Sequence, residues 1–153
     1  MSSRIILPVP HYPQDEAGEC LAVCGLMVLT FMEERTTLPQ LRKILGINWF
    51  GTSFSNIRSL TQLGIRVEMG EGTLEQLRTA LAKRQPPIVA VDTTEFSYTK
   101  LNTLHAVVLV GIDEAFVYLH DPMVTTKVPI YVPIDEFALA WLEHDELFAI
   151  LSK

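Results

Sequence analysis

The sequence predicts an α+β domain in which N-terminal helices pack on a mostly antiparallel sheet. Hydrophobic residues make up 48% of the 153 residues, which is enough to form a buried core. Apolar residues recur at helical spacing through the first half of the chain, whereas the second half contains short β-branched and aromatic runs. No repeat, low-complexity segment or linker divides the chain, so residues 1–153 are expected to form one domain.

An extended arm is predicted over residues 1–14, because its prolines fix their own φ angles and restrict the residue before each of them. Cys20 to Glu34 is predicted to be a helix. Its residues are apolar nearly all round, which is typical of a buried helix.

Three more helices are predicted in the first half from their capping signals. Pro39 lies in the first turn of one helix, and Gly46 stops it. Ser53 is expected to cap the next, and Thr73 opens a capping box before the third. The predicted ranges are 37–45, 53–63 and 73–84.

The second half is predicted to be mainly β-structure. A three-residue loop, Asp113 to Ala115, is expected to join two strands as a hairpin. One further helix, from Pro133 to about Glu143, precedes the last strand. The predicted strands cover residues 65–69, 88–91, 106–112, 116–120, 127–132 and 146–151.

Composition excludes several classes of function. The formal charge of −6 argues against a nucleic-acid partner, which requires a basic face. No apolar run approaches the length of a membrane span, and the N-terminus lacks the pattern of a secretory signal. Two cysteines one helical turn apart rarely form a disulfide, which predicts free thiols in a reducing compartment. We therefore expect a cytoplasmic protein without a membrane partner, and export by a signal-independent route stays open.

The two cysteines differ in their surroundings. Cys20 begins the predicted helix, where unpaired backbone N–H groups favour a thiolate, the form of cysteine that attacks. Taken alone, it fits a nucleophile or a small buried hydrophobe equally well. Cys24 lies within an apolar stretch and is interpreted as a buried hydrophobe.

A thiolate nucleophile needs a base and a group that orients the base. If the hairpin loop has three residues, Ile112 pairs with Phe116, and His105 lies diagonal to Asp121 on one face of the sheet. Any odd number of loop residues keeps His105 and Asp121 on the same face of the sheet, and an even number places them on opposite faces. His105 alone would also fit a strand-end residue, and Asp121 a turn residue before a proline.

Among the other polar and aromatic residues, Gln14 and one aromatic loop each have a possible role at an active site and a structural alternative. The other histidines are given no catalytic role. Gln14 precedes Cys20 by six residues and could donate its amide to a developing oxyanion, or be a solvated loop residue. His120 falls on the opposite face and is expected at the surface or in packing. His11 and His144 are expected at the surface. The aromatic loop over residues 49–52 either lines a substrate cleft or fills the core.

Four segments in this order resemble the bacteriocin-processing cysteine peptidases, peptidase family C39, which are papain-like enzymes. The first is QDEAGECLAVCGLM at Gln14–Met27, with its glutamine six residues before the nucleophile. The others are the histidine strand from His105, the aspartate–proline turn at Asp121, and the helix and last apolar strand at the C-terminal end. The resemblance spans about residues 9–150.

The resemblance implies a papain-like fold and a role for each of four residues. Cys20 would be the nucleophile, His105 the general base and acid, and Asp121 the residue that orients His105. Gln14 would form the oxyanion hole with the backbone N–H of Cys20. The implied function is hydrolysis of a peptide or amide bond through an acyl-enzyme, with a peptide or protein substrate and no cofactor or metal.

Leu21 departs from the family pattern, which usually has glycine directly after the nucleophile. A bulkier residue there could change which substrate fits. The chain also carries none of the membrane spans or nucleotide-binding domain of the exporters to which many relatives are fused, so processing of double-glycine leaders does not follow.

The sequence leaves three alternatives open. Acyl transfer or glutamine deamidation would use the same residues. A non-catalytic module on this fold would bind a peptide without cutting it. A zinc site built from Cys20, Cys24, His105 and Asp121 is disfavoured, because structural zinc usually takes cysteines from a loop and not from a buried helix. The sequence predicts no oligomeric state.

Overall fold

In the computed structural model, which describes residues 4–16, 18–47, 52–98 and 104–153, seven strands form one sheet. Four α-helices and two 3-10 helices, Phe54–Leu63 and Thr93–Glu95, complete the described structure. The α-helices are α1 (Cys20–Phe31), α2 (Leu38–Leu45), α3 (Leu74–Ala82) and α4 (Ile134–Leu142). The strands are β1 (Ile5–Ile6), β2 (Arg66–Glu71), β3 (Ile88–Asp92), β4 (Leu104–Ile112), β5 (Phe116–His120), β6 (Ile130–Pro133) and β7 (Leu147–Ser152).

The sheet confirms the predicted α+β architecture. Its strand order is β2-β7-β3-β4-β5-β6, with β1 paired to β4, and all of these pairings among the described strands are antiparallel. β4 is the central strand, because it pairs with β3, β5 and β1. α1 packs against β4, which brings the start of the first helix to the middle of the sheet.

α1 is the buried helix that the sequence predicts, but it ends earlier. Eight of its twelve residues are buried, which explains why it has no polar face. It stops at Phe31 because Glu33 takes a left-handed conformation with φ 63°. The N–H of Glu34 then donates to the Leu29 carbonyl at 2.9 Å, and this bond closes the helix end. The prediction that the helix reaches Glu34 is wrong for this reason.

Capping signals located two of the three later helices. Thr37 caps α2 and Gly46 ends it with φ 68°, while Thr73 and Gln76 form the predicted capping box of α3. The prediction for Ser53 is wrong in detail. Its side chain makes no cap, and the segment after it is a 3-10 helix.

The β4–β5 hairpin differs from its predicted geometry at the turn. Ile112 pairs with Val117 and not with Phe116, so four residues separate the paired ends. A bulge between Leu109 and Gly111 shifts the register by one residue. Beyond the bulge Val108 lies opposite His120, the same pairing that a three-residue loop would produce. The two departures cancel at the open end of the hairpin.

The remaining differences are two short unpredicted elements and several shifted boundaries. The arm contains β1, and the segment after β3 contains the short 3-10 helix at residues 93–95; neither was predicted. The strand predicted over residues 127–132 begins only at Ile130. Most of the aromatic loop, residues 49–51, lies outside the described residues. Among the described helices, none is long and apolar enough to cross a bilayer.

Two buried histidines anchor the proline-rich arm. The Nε2 atom of His11 lies 2.9 Å from the Asp121 carbonyl oxygen, and Nε2 of His120 lies 2.7 Å from the Val9 carbonyl oxygen. The two rings contact edge to face with centroids 5.2 Å apart. The expectation that His11 is a surface residue is wrong, since only 5% of it is exposed. His144 is partly buried as well. His120 has the packing role that its face predicted.

Replacing Gly111 by alanine should destabilise the protein. A Cβ atom at Gly111 would lie 2.5 Å from the Ile5 carbonyl oxygen, so β1 would have to move away from β4. We expect a loss of about 1–3 kcal/mol in the free energy of unfolding, measured by urea denaturation. Gly70→Ala in β2 is the matched control, because a Cβ atom there would have no neighbour within 4 Å. Equal effects of the two substitutions would contradict the close approach.

The free energy of unfolding should fall in mild acid because of His120. Burial lowers the pKa of His120 below its ordinary 6.5, partly offset by the Val9 carbonyl. As the pH falls below 6.5, the unfolded chain takes up a proton that the folded protein resists, so stability is lost. The expected slope is at most about 1.4 kcal/mol per pH unit. His120→Gln retains an N–H donor without a titrating ring, and urea midpoints between pH 6.5 and 5 should become less pH-dependent. An unchanged slope would show that His120 is not responsible.

Candidate active site

Cys20 and His105 are brought together by the contact between α1 and β4. Cys20 is the first residue of α1, and one turn later the thiol of Cys24 donates a hydrogen bond to the Ala106 carbonyl at 3.3 Å. Ala106 directly follows His105 in β4. The same bond therefore sets the start of the helix beside the histidine, and the Cys20 side chain hydrogen-bonds to His105.

His105 and Asp121 meet at the open end of the β4–β5 hairpin, as the sequence predicts. Nε2 of His105 bonds to Oδ1 of Asp121, so Nδ1 is the ring nitrogen left for Cys20. Both side chains are buried, with 4% and 1% exposure. Asp121 also opens a turn, since its carbonyl accepts the N–H of Val124 at 3.2 Å. Asp121 is therefore both the partner of His105 and the turn residue that the sequence allowed as alternatives.

The pKa values of Cys20 and His105 shift in opposite directions because the two groups face each other. Burial raises the pKa of the Cys20 thiol, but the His105 hydrogen bond and charge, with backbone hydrogen bonds from Ala106 and Leu21, bring it below 9.0. Burial lowers the pKa of His105, but its bonds to Asp121 and Cys20 raise it to about 9. Burial raises the pKa of Asp121, but the hydrogen bond and the charge of His105 lower it by more, so the pKa of Asp121 lies below its ordinary value. This arrangement favours a thiolate beside an imidazolium.

Cys24 is a different kind of thiol. It is fully buried, and burial raises its pKa well above 9.0, with the charges of Cys20 and Asp121 acting in the same direction. A protonated thiol that donates to a carbonyl is the small buried hydrophobe that the sequence predicts. It also weakens the zinc alternative, because a zinc ligand is a thiolate.

Gln14 lies near this site but its amide points along the loop. Its backbone N–H donates to the Pro122 carbonyl at 2.7 Å, which ties the arm to the turn after Asp121. Its Nε2 donates to the Glu16 carbonyl at 3.0 Å, and its Oε1 is buried without a partner. The amide therefore has one hydrogen committed to the loop that leads to Cys20.

The loop between Gln14 and Cys20 is built around an acidic residue, Glu19, whose burial and partners the sequence did not indicate. One oxygen of Glu19 accepts the backbone N–H groups of Asp15 and Glu16 at 3.1 and 3.0 Å. Its other oxygen contacts Arg42 of α2 at 2.5 Å, and Arg42 also reaches Glu16 at 2.7 Å. Glu19 is 2% exposed. Because Arg42 is on another helix, local sequence contains no signal for this pairing.

A small cavity adjoins His105. Its volume is about 30 Å³, and it is lined by Leu21, Thr52, Phe54, Ala90, His105 and Ala106. Leu21, the residue that departs from the family pattern, forms one wall. A larger cleft of about 240 Å³ lies beside α3, β2 and β7, and its lining includes none of Gln14, Cys20, His105 or Asp121. We relate the chemistry to the smaller space, because His105 lines it and the Cys20 side chain interacts with His105.

Tyr98 is a further residue at the site that the sequence did not predict. Its hydroxyl donates to Oδ2 of Asp121 at 2.6 Å. Tyr98 follows a short 3-10 helix in a segment without strand or helix periodicity, so no pattern in the sequence pointed to it.

The fold has close counterparts among solved structures. A structure described as a C39-like peptidase from Bacillus anthracis has a TM-score of 0.82 and 17% identity, over 99% of this chain and 98% of that one. A double glycine motif protease from an AMS/PCAT transporter, solved with its leader peptide, has a TM-score of 0.72 and 23% identity, over 98% of each chain. The peptidase domain of Streptococcus ComA, a bi-functional ABC transporter involved in quorum sensing, has a TM-score of 0.76 and 18% identity, over 94% of this chain and 98% of that one.

At these identities the solved structures bear on the fold, and they agree with a papain-like α+β architecture. No curated protein sequence matches the chain. A family model does: that of the peptidase C39 family matches residues 9–145. Because this match covers most of the chain, the protein belongs to the peptidase C39 family and is a cysteine peptidase.

Proposed function

We propose that this peptidase hydrolyses a peptide bond with Cys20 as nucleophile, His105 as general acid and base, and Asp121 as the residue that orients His105. The observation that carries the proposal is the continuous series of contacts from the Cys20 thiol through the His105 ring to the Asp121 carboxylate. This is the relation between nucleophile, base and orienting group that acyl transfer requires.

In the first half of the reaction the Cys20 thiolate attacks the carbonyl carbon of the scissile bond. The carbonyl π electrons move to the oxygen as the C–S bond forms. The imidazolium of His105 then gives its proton to the leaving nitrogen, and the C–N bond breaks to leave a thioester. A raised His105 pKa suits this step, because the ring holds its proton until the amine needs it.

In the second half a water molecule hydrolyses the thioester. Neutral His105 takes a proton from the water as its oxygen attacks the acyl carbon. The C–S bond then breaks, the acid product leaves, and the thiolate and imidazolium are restored. Asp121, with its lowered pKa, stays ionised through the cycle and stabilises each imidazolium that forms.

The oxyanion would be held by two donors. The backbone N–H of Cys20 belongs to the first turn of α1, where N–H groups have no partner within the helix. Gln14 would be the second donor, through the amide hydrogen that is not bonded to Glu16. Its connection to the Pro122 carbonyl keeps it next to the Asp121 turn.

The proposed substrate is a peptide or protein segment. One solved relative is a protease in complex with a leader peptide, which supports peptide binding on this fold. In this chain Leu21 and Phe54 wall the small cavity beside His105, so we expect small side chains near the scissile bond.

Thiol alkylation should reveal an activated Cys20. Below neutral pH, wild-type protein should take up one iodoacetamide adduct about 10- to 100-fold faster than an ordinary thiol, because the lowered pKa of Cys20 gives it a larger thiolate fraction there. The measurement is intact mass against time at pH 5 to 7. Cys20→Ser should abolish the fast adduct, and His105→Ala should slow it to the rate of an ordinary thiol.

Cys24→Ser is the matched control, since Cys24 is a buried, protonated thiol that should not contribute. It should retain the fast adduct. Labelling of Cys20 at the ordinary rate, unaffected by His105→Ala, would overturn the proposal and favour a non-catalytic peptide-binding module.

Gln14→Ala should separate peptide cleavage from thiol reactivity. Alkylation develops no oxyanion, so its rate should stay near wild type, whereas cleavage of a peptide found in a substrate library should slow by about 10²–10³. Gln62→Ala, an exposed glutamine in the 3-10 helix, is the control. Parallel loss of both rates would mean that Gln14 shapes the loop and does not hold the oxyanion.

The same library separates the reaction types. Hydrolysis produces two fragments whose masses sum to the peptide plus one water. Deamidation leaves the peptide intact with a glutamate in place of a glutamine, and acyl transfer produces a conjugate with an added amine. Product masses from wild-type enzyme and Cys20→Ser distinguish these outcomes, and products other than two hydrolytic fragments would overturn hydrolysis as the reaction.

A further inference from the structure

The Asp121 carboxylate has a partner that the proposed mechanism does not use. Its Oδ1 accepts hydrogen bonds from the His105 ring and, at 2.8 Å, from the backbone N–H of Met123. Its Oδ2 accepts the hydroxyl of Tyr98 at 2.6 Å. Asp121 is 1% exposed, so water cannot readily replace the donors on either oxygen. The three bonds divide the carboxylate, with one oxygen for the histidine and the other for the tyrosine.

Tyr98 is itself held on two sides. Its ring stacks on Phe96 with centroids 5.2 Å apart and planes at 22°, and Phe96 is 3% exposed. The preceding backbone N–H, that of Ser97, donates to Glu136 of α4 at 2.8 Å. The direction from which the hydroxyl approaches Asp121 is therefore set by buried packing and by a bond to another element.

The tyrosine can act only as a donor in this contact. Burial raises the pKa of Tyr98, and the negative charge of Asp121 raises it further. The hydroxyl thus keeps its proton across the working range of a peptidase. The other titratable groups that face this cluster are His105, Cys20, Cys24 and Glu136, while His11 contacts the Asp121 carbonyl.

We infer that Tyr98 is a positioning residue, which holds the Asp121 carboxylate in the rotation that presents Oδ1 to His105. The terminal torsion of an aspartate is broad, so a carboxylate with one free oxygen can turn. A donor on Oδ2 removes that freedom. Without it, Asp121 would turn toward other donors or take up a proton, and either change weakens its bond to His105. The inference rests on the proposed function for its consequence in catalysis.

The test reads the His105 ring directly. Histidine rings are labelled with ¹⁵N in a Cys20→Ala background, and their titration is followed by NMR, with His105 identified by the resonances lost in His105→Ala. In this background the result does not depend on whether Cys20 is a nucleophile. Adding Tyr98→Phe removes one oxygen atom and retains the ring, and we expect the His105 pKa to fall by about one pH unit.

Tyr118→Phe is the matched control. Tyr118 makes the same kind of bond, from its hydroxyl to Oδ2 of Asp113 at 2.6 Å, but at the hairpin turn. It should leave the His105 titration unchanged. In protein with Cys20 intact, Tyr98→Phe should slow alkylation at pH 6 by up to about tenfold, the equivalent of a one-unit rise in the pKa of the Cys20 thiol, because a turned Asp121 carboxylate holds the His105 imidazolium less firmly beside that thiol. Tyr118→Phe should not slow it.

An unchanged or higher His105 pKa in Tyr98→Phe would overturn the inference. So would a loss of thermal stability equal to that of Tyr118→Phe without any change at His105, because that result describes a structural tyrosine. A lowered His105 pKa together with an ordinary Cys20 in the wild type would support the positioning role and overturn the peptidase mechanism. The two proposals can therefore fail separately.

Discussion

One buried carboxylate, that of Asp121, is the interaction on which the site depends. A charge with 1% exposure is costly unless hydrogen bonds satisfy it. Its donors come from separate parts of the chain: His105 from β4, Tyr98 from the segment after β3, and the N–H of Met123 from its own turn. His11, from the arm, contacts its carbonyl. Satisfying the carboxylate and the backbone carbonyl of this one residue therefore requires four segments to be in their native places together.

The thiol–imidazole pair illustrates how pairing reverses the effect of burial. Burial alone would neutralise both groups, raising the pKa of Cys20 and lowering that of His105. Their mutual contact, and the contact of His105 with Asp121, outweigh burial and invert both directions. Cys24, one turn away in the same helix, has no such partner, and burial prevails there. Two cysteines four residues apart thus have opposite chemistry because only one of them faces the histidine.

The β4–β5 hairpin shows where prediction from the sequence succeeded and why. Period-2 alternation correctly placed His105 and Asp121 together, although the loop has four residues and not the expected three. The bulge between Leu109 and Gly111 restores the parity, and the Val110 carbonyl there accepts the N–H of Leu7 from the arm. No local signal marks this bulge, and the strand that pairs beside it, β1, arrives from the other end of the chain.

The sequence by itself determined the α+β class, the two cysteines at the start of a buried helix, the caps of α2 and α3, and the order of the candidate residues from Gln14 to Asp121. These follow from short-range physics, namely periodicity, capping and proline geometry, which operate within one element. Only the tertiary structure decided that His11 is buried, that Arg42 reaches Glu19, and that Tyr98 completes the shell of Asp121. Those contacts join residues far apart in the chain, and their hydrogen bonds are strengthened by the low dielectric of the interior, which exists only once the elements have packed.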